Sequence, residues 1–119
     1  MKIVLSVFIV LACLSLLLYG CDSKSTMTGR CLVATNGKYL IVADNSDPIV
    51  MSNQTNNTSL FESLHTGDKI RITHDDILLS YPGHTGVYSC KVLENGSIED
   101  IPENTLASLT EMNWTFDLV

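Results

Sequence analysis

The stretch TGRCLVATNGKYLIVAD, residues 28–44, decides the fold. Two apolar runs with strand composition, 28–35 and 38–44, flank Asn36-Gly37, the dipeptide that most strongly marks a hairpin because both residues tolerate positive φ. A third run, Ile49-Val50-Met51, follows the turn residues DNSDP at 44–48. Beyond an Asn/Thr-rich loop at 53–58, Ser59 and Glu62 have capping-box spacing and Leu60, Phe61 and Leu64 share one face. That pattern predicts a short internal helix stopped near Gly67. Residues 69–74, KIRITH, alternate with period two, placing Ile70 and Ile72 inward and Lys69 and Arg71 outward. Asp75-Asp76 is expected to turn the chain, with 77–80 continuing the strand. Residues 86–92 alternate again, with Ser89 and Lys91 outward and Tyr88, Cys90 and Val92 inward. In the tail, Asp100 in a capping position, Pro102 and Glu103 in the first turn, and Leu106, Leu109 and Met112 on one side predict a short C-terminal helix ending near Trp114. The fold class is therefore mainly β. Five strands with a helix between the third and fourth match an OB-like barrel, and a small meander sheet is the competing architecture.

Working outward, the 119 residues carry 45% hydrophobic content and a net charge of −6, but two different pieces are averaged in those figures. Residues 3–19, IVLSVFIVLACLSLLLY, hold no charge and follow Lys2, the pattern of an export signal helix. The remainder keeps all 13 acids and six of the seven bases, a net charge of −7. The signal ends in Leu18-Tyr19-Gly20-Cys21, which resembles a bacterial lipobox: an aliphatic residue three before a Cys and a small residue immediately before it. The resemblance implies cleavage after Gly20 and a diacylglyceryl thioether on Cys21. Acyl chains contribute about 0.8 kcal/mol per buried methylene, so two or three hold a protein on a membrane face. An uncleaved anchor is the alternative, since seventeen residues barely span a bilayer. The expected organisation is a signal peptide at 1–20, a lipidated Cys and polar linker at 21–27, and an OB-like domain with a C-terminal helix at 28–119.

Thr28-Gly29, Gly67-Asp68-Lys69-Ile70-Arg71-Ile72, His74-Asp75-Asp76-Ile77 and Ser80-Tyr81-Pro82 together resemble the turn-and-strand signatures of a family of small, uncharacterised Gram-positive lipoproteins. The resemblance spans residues 28–92 and departs from the family at Asp76, where Gly is frequent, and in the C-terminal helix. It implies a lipoprotein topology, a compact OB-like β fold and no established activity.

Cys13 lies in the signal, which leaves Cys31 and Cys90 in the domain. Outside the cytosol thiols oxidise, so these two are candidates for a disulfide worth about 4 kcal/mol. Two buried free thiols are the alternative.

His65, His74 and His84 with Asp68, Asp75 and Asp76 form the polar cluster that a metal would need, but no H-E-x-x-H or EF-hand loop is present, and Asp75-Asp76 reads as a solvated turn. No G-x-S-x-G occurs, and paired catalytic carboxylates cannot be assigned. No metal site, catalytic residue or cofactor is expected. Lys69, Arg71 and Lys91 project from two strands toward an anionic group. Tyr81 and His84 join them as a candidate ligand face, unless Tyr81 only packs on the barrel rim beside Pro82. Seven scattered bases in an acidic chain argue against nucleic acid. Five Asn-x-Ser/Thr sequons, at Asn53, Asn56, Asn57, Asn95 and Asn113, support a rival, a secreted eukaryotic N-glycosylated protein.

The expected protein is thus a lipid-anchored binding or accessory module on the extracytoplasmic face of a bacterial membrane. Its expected partners are that membrane and an envelope ligand or protein. A small envelope hydrolase or metal-binding protein is the other alternative.

Overall fold

The computed structural model describes residues 24–44 and 46–117. The signal segment and Cys21 lie outside the described residues. Five strands, β1 (Ser25–Val33), β2 (Tyr39–Val42), β3 (Ile49–Asn53), β4 (Lys69–Leu78) and β5 (Gly83–Glu94), close into a barrel in the order β1-β2-β3-β5-β4. A meander would place β3 beside β4. Instead β3 runs parallel to β5, with Ile49 opposite Gly83 and Asn53 opposite Val87. This closed order is compatible with an OB-type barrel and leaves no free sheet edge. β1 already begins at Ser25, taking in the last residues of the expected linker. It closes the barrel by changing neighbours midway: Ser25 to Arg30 pair with β4, and Arg30 to Val33 pair with β2.

The Asn36-Gly37 signal forms its hairpin. Gly37 N–H donates to Ala34 O (3.2 Å) and Ala34 N–H to Lys38 O (2.9 Å), and Gly37 has φ +86°. This is a turn followed by a left-handed residue, which glycine adopts without strain.

Two cores explain why the strands read differently in sequence. Inside the barrel, Cys31, Ile41, Met51, Ile70, Ile72 and Val87 pack together. On the outer face of β1, β2 and β3, the helix α1 (Glu103–Glu111) and the chain around it cover a second core that includes Leu32, Leu40, Val42, Val50, Ile101 and Leu109. Leu40 to Val42 of β2, Cys31 and Leu32 of β1, and Ile49 to Met51 of β3 are buried on both faces and read as apolar runs. β4 and much of β5 are buried on one face and alternate.

The internal helix expected at 59–64 is not formed. Leu60, Glu62 and Leu64 instead donate to the carbonyls of Asn57, Ser59 and Phe61, three residues back in each case. So short a segment cannot repay helix nucleation. It is held by burial of Phe61 and Leu64 at the barrel end, where the Phe61 ring lies 5.2 Å from Tyr39. The C-terminal helix is present but begins later than Asp100. The Asp100 carboxylate accepts Ser97 N–H at 2.9 Å and so caps the preceding 3-10 turn, Ile98–Asp100. Leu109 is fully buried and Leu106 half-buried, whereas Met112 is exposed.

The turn expected at Asp75-Asp76 is a bulge within β4. The register slips between Thr73/His74 and again between His74/Ile77, so that His74 faces Val87 while Thr73 faces Ser89. Tyr88 is thereby left without a partner in the ladder. Val87 takes the inward position, and Tyr88, expected inside, is exposed.

Candidate functional site

The strand directions sort the loops into two ends. At one end lie the start of β1, the β2–β3 loop (43–48) and the β4–β5 loop (79–82). At the other lie the β1–β2 hairpin, the long segment 54–68 and the exit of β5. The five candidate ligand residues are divided by this geometry. Arg71 and Lys91 come together as directly opposed residues on β4 and β5, both exposed and, among the described residues, neither in an ion pair. Lys69 shares their strand face but lies opposite Glu94, whose carboxylate pairs with Arg30 at 3.8 Å. Tyr81 and His84 belong to the first end, His84 being opposite Leu78. They do not form one surface with the three cations.

At that first end a groove of about 610 Å³ opens between the two loops, with Met27, Pro48, Ile77, Leu78, Leu79 and Tyr81 on its walls. A smaller, more polar groove of about 430 Å³ shares Pro48 and Tyr81 and continues to Pro102 and Thr105 beside α1. Tyr81 lines both grooves. Leu79 is 92% exposed and Leu78 66%. Both were passed over in the sequence as strand continuation, although a signal was present. Strict alternation sends one of two adjacent leucines to solvent.

The outer surface of β2 and β3, which OB-type barrels use for oligonucleotides and oligosaccharides, is closed here. Leu40, Val42 and Val50 lie under α1.

Four of the residues considered as metal ligands, Asp68, His65, His74 and Asp75, have other partners. The Asp68 carboxylate is buried and accepts His65 N–H (3.0 Å) and Gly96 N–H (3.1 Å), with the His65 ring 3.7 Å away. It ties segment 54–68 to the end of β5. His74 is buried with Nδ1 2.7 Å from Asp75 O. Asp75 accepts Gly86 N–H at 2.8 Å and the Tyr88 hydroxyl at 3.2 Å. A Cβ on residue 86 would lie 2.7 Å from that carboxylate, so the close approach requires glycine. The Gly86 amide, followed by the hydroxyls of Tyr88 and Thr85, holds the Asp75 carboxyl below its usual range. The same contact raises Tyr88 above its own ordinary value. Lys24 lies 4.1 Å over the Tyr88 ring. Among the described residues, no group of three His, Cys, Asp or Glu is placed to hold a metal.

Cys31 and Cys90 are both free, which corrects the disulfide expectation. β4 runs between them: Cys31 N–H donates to Asp68 O on one side, and Cys90 faces Ile72 on the other. Two interstrand spacings of about 4.8 Å exceed the reach of a disulfide. Burial pushes the Cys31 thiol well above its ordinary value, with Cys90 and Asp68 adding to the effect. Burial alone pushes Cys90 up to about 11. Neither is an activated nucleophile.

Among the described residues no helix is long and apolar enough to cross a membrane. Comparison with protein-family models, with curated proteins and with solved structures gives no match for the chain.

Proposed function

We propose that the protein is a lipid-anchored, non-enzymatic binding or accessory module on the extracytoplasmic face of a bacterial cell membrane, and that it holds an anionic envelope ligand or partner through Arg71 and Lys91. The single observation that carries the binding surface is the register of those two residues. Like charges directly opposite in an antiparallel ladder destabilise the sheet. Here both cations stand exposed, with no carboxylate paired to either among the described residues, in a domain of net charge −7. An anion placed between them removes the repulsion and gains two charge-assisted hydrogen bonds. The anchor is supported by the uncharged segment 3–19 and the Leu18-Tyr19-Gly20-Cys21 ending, and by the resemblance to small Gram-positive lipoproteins.

Titration calorimetry with inorganic polyphosphate at low salt tests the surface. Replacing Arg71 and Lys91 together with Gln is expected to weaken binding at least tenfold, since each lost contact costs about 1.5 kcal/mol or more, and to flatten the salt dependence. Unchanged binding in the double variant sinks the assignment. Metabolic labelling with an alkyne fatty acid tests the anchor. Label is expected on the wild type and absent from Cys21→Ala, and an unlabelled wild type refutes lipidation.

A further inference from the structure

The β4–β5 hairpin runs past the start of β1. Ser25 pairs with His74, and Leu78 lies four residues farther along β4, about 13 Å at 3.3 Å per residue and slightly less across the bulge. Its tip is the most apolar exposed surface among the described residues, with Leu78 66%, Leu79 92% and Tyr81 38% exposed. Four residues also separate Ser25 from Cys21, a span of at most about 14 Å. A lipid on Cys21 therefore keeps Ser25, at the end of the barrel from which the tip projects, within about 14 Å of the bilayer. The tether is too short for the barrel to stand upright without the tip reaching the headgroups.

We infer that Leu78, Leu79 and Tyr81 dock into the interface of the bilayer that anchors the chain; this rests on the lipidation of Cys21 proposed above. Two aliphatic side chains enter the acyl boundary, and the Tyr81 ring sits at headgroup level with its hydroxyl toward water, as amphipathic aromatics do at such interfaces. Asp47 on the groove wall and the exposed Asp75 and Asp76 behind the tip repel anionic headgroups. The docking is apolar and needs no anionic lipid. It leaves Arg71 and Lys91 on the barrel side, clear of the membrane.

The test uses the full lipidated chain, purified from bacterial membranes and reconstituted into phosphatidylcholine vesicles brominated on the acyl chains. Leu79→Trp in a Trp114→Phe background reports the tip. The wild type supplies the reference, because Trp114 stacks on Phe116, which bridges to Ala34 near the opposite end of the barrel. Bromolipid is expected to quench Trp at position 79 several-fold more than Trp114, with little change when anionic lipid is added. A chain that floats with the vesicles but shows equal quenching at both positions, or none, overturns the docking and leaves the anchor standing; the groove then belongs to a protein partner. Quenching that requires anionic lipid overturns the apolar mode. A wild type that does not float overturns the anchor and the docking with it.

Discussion

The carboxylate of Asp75 reaches across the β4 bulge to the backbone of Gly86, eleven residues later in sequence, and accepts its N–H at 2.8 Å. Gly86 pairs with Ser52 of β3 but has no partner on β4, where the register is irregular, and on that side the Asp75 side chain supplies the acceptor for its amide. A bulge that costs one backbone pairing is in this way held in one geometry, which brings Val87 into the core and sends Tyr88 out.

The Asp75 contact gives a pH signature. Its carboxyl is lower in the folded chain than in the unfolded one, so its contribution is complete above the ordinary carboxylate range and is lost as pH falls through the lowered value. The protection of the Gly86 amide, its exchange rate relative to the intrinsic rate at each pH, is expected to fall over that acid window. Asp75→Asn is expected to lower that protection at neutral pH and to make it nearly independent of acid. Identical acid profiles in both proteins would contradict the role.

The two thiols behave oppositely to a redox pair. Alkylation without reductant is expected to find both Cys31 and Cys90 unbridged after unfolding. In the native chain at pH 8, Cys90, raised to about 11, is expected to react roughly a hundredfold more slowly than a free thiol, with Cys31 slower still. Because both thiols are raised on folding, stability is full below the ordinary thiol range and falls as pH rises through it toward the folded values.

Asp68 accepts two backbone amides, those of His65 and Gly96, on its carboxylate. Asp68→Ala removes the acceptor from both of these half-buried bonds and is expected to cost about 3 kcal/mol in urea denaturation. Asp68→Asn keeps one acceptor oxygen and is expected to cost less. A neutral Asp68→Ala would mean that segment 54–68 is held without that carboxylate, by the burial of Phe61 and Leu64 and by the backbone bonds of Gly67 and Asp68 to Cys31.

Leu109 is fully buried between α1 and the outer face of β1 to β3. Leu109→Ala is expected to cost about 3 kcal/mol through lost burial and the cavity left behind, with Trp114 fluorescence reporting the loosened helix. Met112→Ala, at an exposed position, is expected to stay within about 0.5 kcal/mol of the wild type. Equal effects at the two positions would contradict the described helix face.

The sequence by itself determined the five strands, the Asn36-Gly37 hairpin and the buried faces of Ile70 and Ile72, because turn chemistry and side-chain period act over a few residues. It also placed an apolar face on Phe61 and Leu64, but overstated the backbone there as a helix. Only the tertiary structure decided the parallel β3–β5 pairing that closes the barrel, the division of Tyr81 and His84 from Arg71 and Lys91, and the separation of Cys31 from Cys90 by β4. The exposed side of Tyr88 was settled in the same way. Period two places Tyr88 inside with Cys90, and one unpaired residue in the ladder reverses that assignment; the reversal is fixed by a carboxylate on the neighbouring strand. Local pattern sets which way a side chain alternates, but register is a contact between distant strands, and a one-residue slip turns a core residue into a surface one.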